Sequence, residues 1–117
     1  VLVVIAAKNQ LRTWNNQDGI FLVIDVLDDK AIIADGKHRK YVDIEVINSR
    51  SKITDLVKTG DLRFWSVSTT NSIHAFMIVS VRADKRGGIF CDILDESKLY
   101  VISLGSLLLA SELLNAQ

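Results

Sequence analysis

The chain has 117 residues, 49% hydrophobic and 24% charged, with 14 basic and 14 acidic side chains and no formal net charge. That length suits one domain or two very small ones, and the composition excludes a disordered or low-complexity polymer. Zero net charge argues against general coating of nucleic acid, because affinity for phosphates needs a basic excess.

The balance also holds locally, with 8 basic and 8 acidic residues in 1–57 and 6 of each in 58–117. A small specific RNA contact therefore requires that opposite charges segregate on the folded surface. A single cysteine, Cys91, excludes an internal disulfide and a multi-thiolate zinc site. The apolar start Val1–Ala7 is too short to span a bilayer, and a cytoplasmic location is expected.

In chain order, Val1–Ala7 is apolar and β-branched and predicts a strand covered on both faces. Residues 8–19 are polar and end in Asp18-Gly19, which predicts a loop carrying Trp14 at the surface. Ile20–Val26 alternates as a strand, with Leu22, Ile24 and Val26 on one face and Phe21, Val23 and Asp25 on the other. Asp28-Asp29 predicts a tight turn into Ala31–Ala34, and Asp35-Gly36 a two-residue hairpin turn. Tyr41–Ile47 alternates again and predicts a half-buried strand. Asn48–Thr59 is more polar, with room for one helical turn around Ile53, Leu56 and Val57.

After Gly60, Asp61–Ser68 predicts a strand containing Trp65, and Thr69–Ser72 a polar loop. His74–Val81, Ile89–Leu94 and Leu99–Ser103 predict three strands separated by turns at Asp84–Gly88 and Asp95–Lys98. Leu104–Leu114 is rich in helix formers, with Ser103 as its N-cap. Proline is absent throughout, which suits a chain made mostly of paired strands. The segment Phe21-Leu22-Val23-Ile24-Asp25-Val26 returns 55 residues later as Phe76-Met77-Ile78-Val79-Ser80-Val81, and Asp29-Lys30 returns as Asp84-Lys85. The chain thus reads as two related modules, residues 1–57 and 58–117.

Gly19, the run Phe21–Asp29 and the run Ala31–Lys40 together resemble a KOW-type SH3-like barrel, in which a valine-rich strand leads through an acidic turn to an Ala-Asp-Gly turn and basic residues. The second half resembles short bacteriophage SH3-like barrel proteins through Gly60-Asp61-Leu62, Cys91–Asp95 and Ser103–Leu108. These likenesses imply two tandem SH3-like (KOW-like) small β-barrels packed together, mainly β, with a C-terminal α-helix. Where the KOW pattern continues with a lysine-rich tail, this chain has Asp43 and Glu45.

Lys37-His38-Arg39-Lys40 is the one concentrated basic cluster, and it follows a turn. Lys85-Arg86 forms a second basic turn, and Trp14 is the loop aromatic suited to a contact. The aspartates around the turns lack the order of a calcium loop or the ligand pairs of a zinc site, so no metal or cofactor is expected. His74 with Asp84 or Asp92 lacks any element that would position a nucleophilic serine. Cys91, alternating with Ile89 and Ile93, is expected in the core.

The expectation is a non-enzymatic binding or adaptor protein, such as a small phage or mobile-element accessory protein, acting on a protein partner. The alternative is an RNA- or ribosome-associated KOW-like factor. In either case the contact surface comprises Trp14, Lys37, His38, Arg39, Lys40, Lys85 and Arg86. The leucine-rich terminal helix, if exposed, predicts a homodimer.

Overall fold

The computed structural model describes residues 5–66 and 75–114. Within them the chain is mainly β, with two five-stranded antiparallel sheets and two seven-residue helices. The first sheet comprises β1 (Leu11–Trp14), β2 (Ile20–Leu27), β3 (Lys30–Ala34), β4 (Arg39–Asp43) and β5 (Ser51–Ile53), with helix α1 (Ile44–Arg50) between the last two. The second comprises β6 (Leu62–Trp65), β7 (Ala75–Ala83), β8 (Ile89–Asp95), β9 (Lys98–Ser103) and β10 (Ser111–Leu113), with α2 (Leu104–Ala110) before β10.

The strand orders are β4-β3-β2-β1-β5 and β9-β8-β7-β6-β10, so each element of one half has a counterpart in the other. Neither sheet closes into a barrel. The chain divides into two compact units, and the boundary is not a single cut. Residues 1–56 group with 82–89, and residues 57–81 group with 90–117.

In the first unit the core is Ala6, Phe21, Val23, Ala31, Ile33 and Ile47, with Trp14, Val26, Val42 and Ile44 packed against it. Val26 joins Phe21 and Val23 because the β2–β3 register shifts between Val23 and Asp25. A bulge of this kind adds one residue and reverses the face of everything after it. Strict alternation through Ile20–Val26 therefore fails at Ile24. In the second unit Phe76, Ile78, Cys91, Ile93, Leu104 and Leu107 are buried. Burial pushes the Cys91 thiol up to about 11, which keeps it an apolar core residue.

Several expectations are corrected by the structure. Leu11–Trp14 is a strand and not a loop. Tyr41–Ile47 breaks at Asp43, and Ile44 begins a helix. Apolar residues at 44 and 47 satisfy helical spacing as well as Val42, Ile44 and Val46 satisfy a strand, and a strand continued past Asp43 would not bring β5 back beside β1. The anticipated turn around Ile53 is instead β5, and the C-terminal helix stops at Ala110 to give β10. Ser103 does cap α2, accepting from the Ser106 N–H. Ile5–Ala7 lie outside any strand, although Ala6 is buried and its N–H donates to Asn48 Oδ1 at 2.7 Å. Val1–Val4, Thr69–Ser72 and His74 lie outside the described residues.

Each unit also buries an arginine. Arg12 Nε donates to Ser51 Oγ at 2.8 Å, and its Nη2 to the Ser51 carbonyl at 3.1 Å. Ser51 Oγ in turn donates to the Ile47 carbonyl at 2.5 Å. The second unit repeats this with Arg63, Ser111 and Leu107, at 2.8, 3.1 and 2.5 Å. Beside each arginine a tryptophan stacks on a phenylalanine, Trp14 on Phe21 at 4.5 Å and Trp65 on Phe76 at 4.3 Å between ring centres. Ser51→Ala and Ser111→Ala leave a buried guanidinium short of an acceptor, and each is expected to cost about 1–3 kcal/mol in urea unfolding. Costs far below that range in both variants would show the clasp to be unimportant.

Candidate functional site

Two turns meet in the first unit, one from residues 35–38 and the other from 84–88. The first links β3 to β4 through four residues, because pairing ends at Ala34 with Arg39. This replaces the two-residue hairpin that Asp35-Gly36 suggested. Its geometry follows from Asp35, whose Oδ1 accepts the N–H groups of Lys37 and His38 at 2.9 and 2.7 Å. In the second turn Asp84 Oδ1 accepts from the N–H groups of Arg86 and Gly88 at 3.0 and 2.8 Å. Aspartate commonly shapes turns in this way.

The two turns are bonded to each other. Gly36 N–H donates to the Gly87 carbonyl at 2.8 Å, and Arg39 Nε to the Asp84 carbonyl at 2.9 Å. Gly87 has a φ of 100° and lies so close to His38 that any Cβ there would overlap the His38 backbone. Only glycine meets both conditions. Two basic segments separated by 45 positions are thereby brought together at one end of the unit: Lys37, His38, Arg39 and Lys40 from one, with Lys40 on the opposite side of β4 from Arg39, and Lys85 and Arg86 from the other. All six are exposed.

The carboxylates at this end are held by their own turns. Partial burial works against the Asp35 charge, but the His38 and Lys37 N–H groups and the Lys40 ammonium outweigh it and hold the pKa at about 2. Lys40 Nζ lies 3.0 Å from Asp35 Oδ2. Asp84 is lowered as well, chiefly by the Gly88 N–H, against a smaller desolvation penalty, with help from the Arg86 and Gly87 N–H groups and the Arg86 charge. Lys37, Lys85 and Arg86 make no ion pair among the described residues.

The acidic groups gather at the opposite end of the β3–β4 ladder. Asp28, Asp29, Asp43 and Glu45 line a groove of about 590 Å³ with Ile44, Asn48 and Ser49. Lys30 pairs with Asp43 there at 3.2 Å. A five-residue strand separates the two ends by roughly 15 Å. Physiological salt screens charges beyond about 8 Å, so each end acts by its own sign. The neutral composition therefore hides a polarised module.

Trp14 does not join the basic face. It lies on β1, half-buried against Phe21, and lines a different groove with Asn16, Gln17, Val46 and Arg50. The aromatic beside the cations is Tyr41, 70% exposed and two positions along β4 from Arg39, hence on the same face of the strand. The sequence offers Tyr41 as an outward aromatic of an alternating strand that could stack on a base, but the contact surface read from it leaves Tyr41 out. Its position next to Lys40 was the available signal. Among the described residues no cluster of histidine, cysteine and carboxylate side chains could hold a metal ion, and no helix is long and apolar enough to cross a membrane. The chain matches no family model, curated protein or solved structure.

Gly87→Ala is expected to destabilise the protein by about 2 kcal/mol or more, from left-handed strain and the forced separation of the two turns. Chemical denaturation measures this, and a neutral effect would contradict the close packing. Asp35 yields a pH prediction. Its folded pKa of about 2 lies below the ordinary 3.8, so its stabilisation is complete above the ordinary value and disappears as pH falls through the folded one. Asp35→Asn should therefore flatten the acid limb of the stability curve in that window. An unchanged limb would mean that the carboxylate carries no net stabilisation.

Proposed function

We propose that the protein is a non-enzymatic binding module that grips single-stranded RNA on the face formed by the two basic turns, each repeat being an SH3-like module left open between its edge strands. The single observation carrying this reading is the bonding of the 84–88 turn to the 35–38 turn, which gathers Lys37, Arg39, Lys85 and Arg86 at one end of the first unit, while Lys40 points to the other face of β4. The zero net charge favoured a protein partner only as long as the charges were taken to be mixed. Their segregation to opposite ends of β3 and β4 removes that reason.

Tyr41 favours a nucleic acid over an acidic protein face. An exposed ring flanked by cations can stack on a base while neighbouring lysines and arginines meet the phosphates on either side. Arg39 is well suited to a bridging role, since its Nε is already fixed by the Asp84 carbonyl and its planar end stays presented. Phosphate contacts of this kind position a strand without reading its sequence. A protein partner with an acidic surface is the second reading, and it would use the same cations without Tyr41.

Binding of a fluorescent oligouridine should weaken with salt at a log–log slope of roughly −2 to −3, as expected for three or four phosphate contacts. Reversing Lys37, Lys85 and Arg86 to glutamate should reduce affinity at least ~10-fold, and Tyr41→Ala should cost about 1–3 kcal/mol. Affinity that ignores salt and survives the charge reversals would overturn the RNA reading.

A further inference from the structure

The edge strands of the two sheets occupy the same place in the repeat but carry opposite chemistry. In the first unit Ala31 pairs with Val42, and in the second Cys91 pairs with Ile102; both Ala31 and Cys91 are fully buried. Matching these ladders sets Arg39, Lys40 and Tyr41 of β4 against Leu99, Tyr100 and Val101 of β9. Charged residues on an edge strand protect it from pairing with another chain. β4 has that protection. β9 instead shows Leu99 at 69%, Tyr100 at 49% and Val101 at 57% exposure. The fold does not require apolar residues there, because its own first copy does without them.

The register of β9 decides what can cover it. The Asp95–Lys98 pair closes a two-residue turn, Glu96-Ser97, with both residues at positive φ. Bonding alternates along an antiparallel ladder, so Lys98, Tyr100 and Ile102 bond to β8 while Leu99 and Val101 turn their N–H and C=O groups outward. These two outward residues are complementary to themselves about a two-fold axis at Tyr100. Leu99 of one copy then meets Val101 of the other, twice, with the two Tyr100 residues opposite each other. In this register Lys98 faces Ile102, so no like charges oppose, which would weaken a cross-strand pair.

We infer that β9 is the contact between two copies of this chain, joined edge to edge across that axis. The inference is independent of the RNA reading, which uses the other unit. A pair of six-residue strands covers less than the 1,200–2,000 Å² typical of stable complexes, so association is weak and depends on concentration. α2, where the sequence suggested dimerisation, buries Leu104 and Leu107 and leaves Leu109 as its strongly exposed leucine.

Light scattering on the full chain across a wide concentration series tests this. The mass should rise toward the dimer, and Leu99→Lys with Val101→Lys should hold it at the monomer with an unchanged circular dichroism spectrum. Leu109→Lys should leave the dimer intact. Under mild oxidation Tyr100→Cys should form an intermolecular disulfide and Leu99→Cys should not, since residue 99 faces 101 and not itself. A monomeric mass at every concentration would overturn the inference. So would equal cross-linking of the two cysteine variants, or dimer loss with Leu109→Lys alone.

Discussion

The fold turns on a buried arginine in each repeat, seated against the C-terminal end of a short helix. Seven-residue helices are too short to hold themselves together, and their stability must come from packing. Arg12 joins β1 to the end of α1 and the start of β5 through one serine, and Arg63 does the same in the second repeat. The serine hydroxyl takes the guanidinium bond and returns one to the carbonyl four residues back. A helix C-terminus carries partial negative charge, so a cation is well placed there. Burial lowers the Arg12 pKa, and the surrounding acceptors offset the cost of desolvating its charge.

That clasp explains why so small a sheet can leave much of its perimeter to other uses. With β1, α1 and β5 locked together, the β3–β4 end of the first repeat carries opposite charges at its two extremities. The second repeat keeps the clasp and the stacked Trp–Phe pair while changing the edge from Arg39-Lys40-Tyr41 to Leu99-Tyr100-Val101. One scaffold, used twice, thereby presents two different edges.

The repeat was legible in the sequence, but through its weaker signal. The apolar runs starting at Phe21 and Phe76 are strands, as their alternation indicates, and the turns at Asp84 and Asp95 lie where expected. The stronger signal was Leu11-Arg12-Thr13-Trp14 recurring as Leu62-Arg63-Phe64-Trp65, which marks the strand carrying the clasp. It was hidden because Leu11–Trp14 lies in a polar stretch that reads as loop while Leu62–Trp65 reads as strand, and only the fold reveals that both arginines are buried. α1 was missed because seven residues do not separate a period of 2 from one of 3.6. Of the site, the cations were identified from composition alone. Their convergence was not, since nothing local marks Gly87 as the partner of His38.

The close approach of Gly87 to His38 also bears on how the protein can be dissected. Repeats of this size invite expression as separate halves, cut near residue 56. Such a fragment would lose the 84–88 turn, and with it Lys85, Arg86 and the acceptors for Gly36 N–H and Arg39 Nε. The first repeat is complete only when a loop encoded inside the second is present. The two halves share one strand order, yet the first unit is not contained in the first half of the sequence.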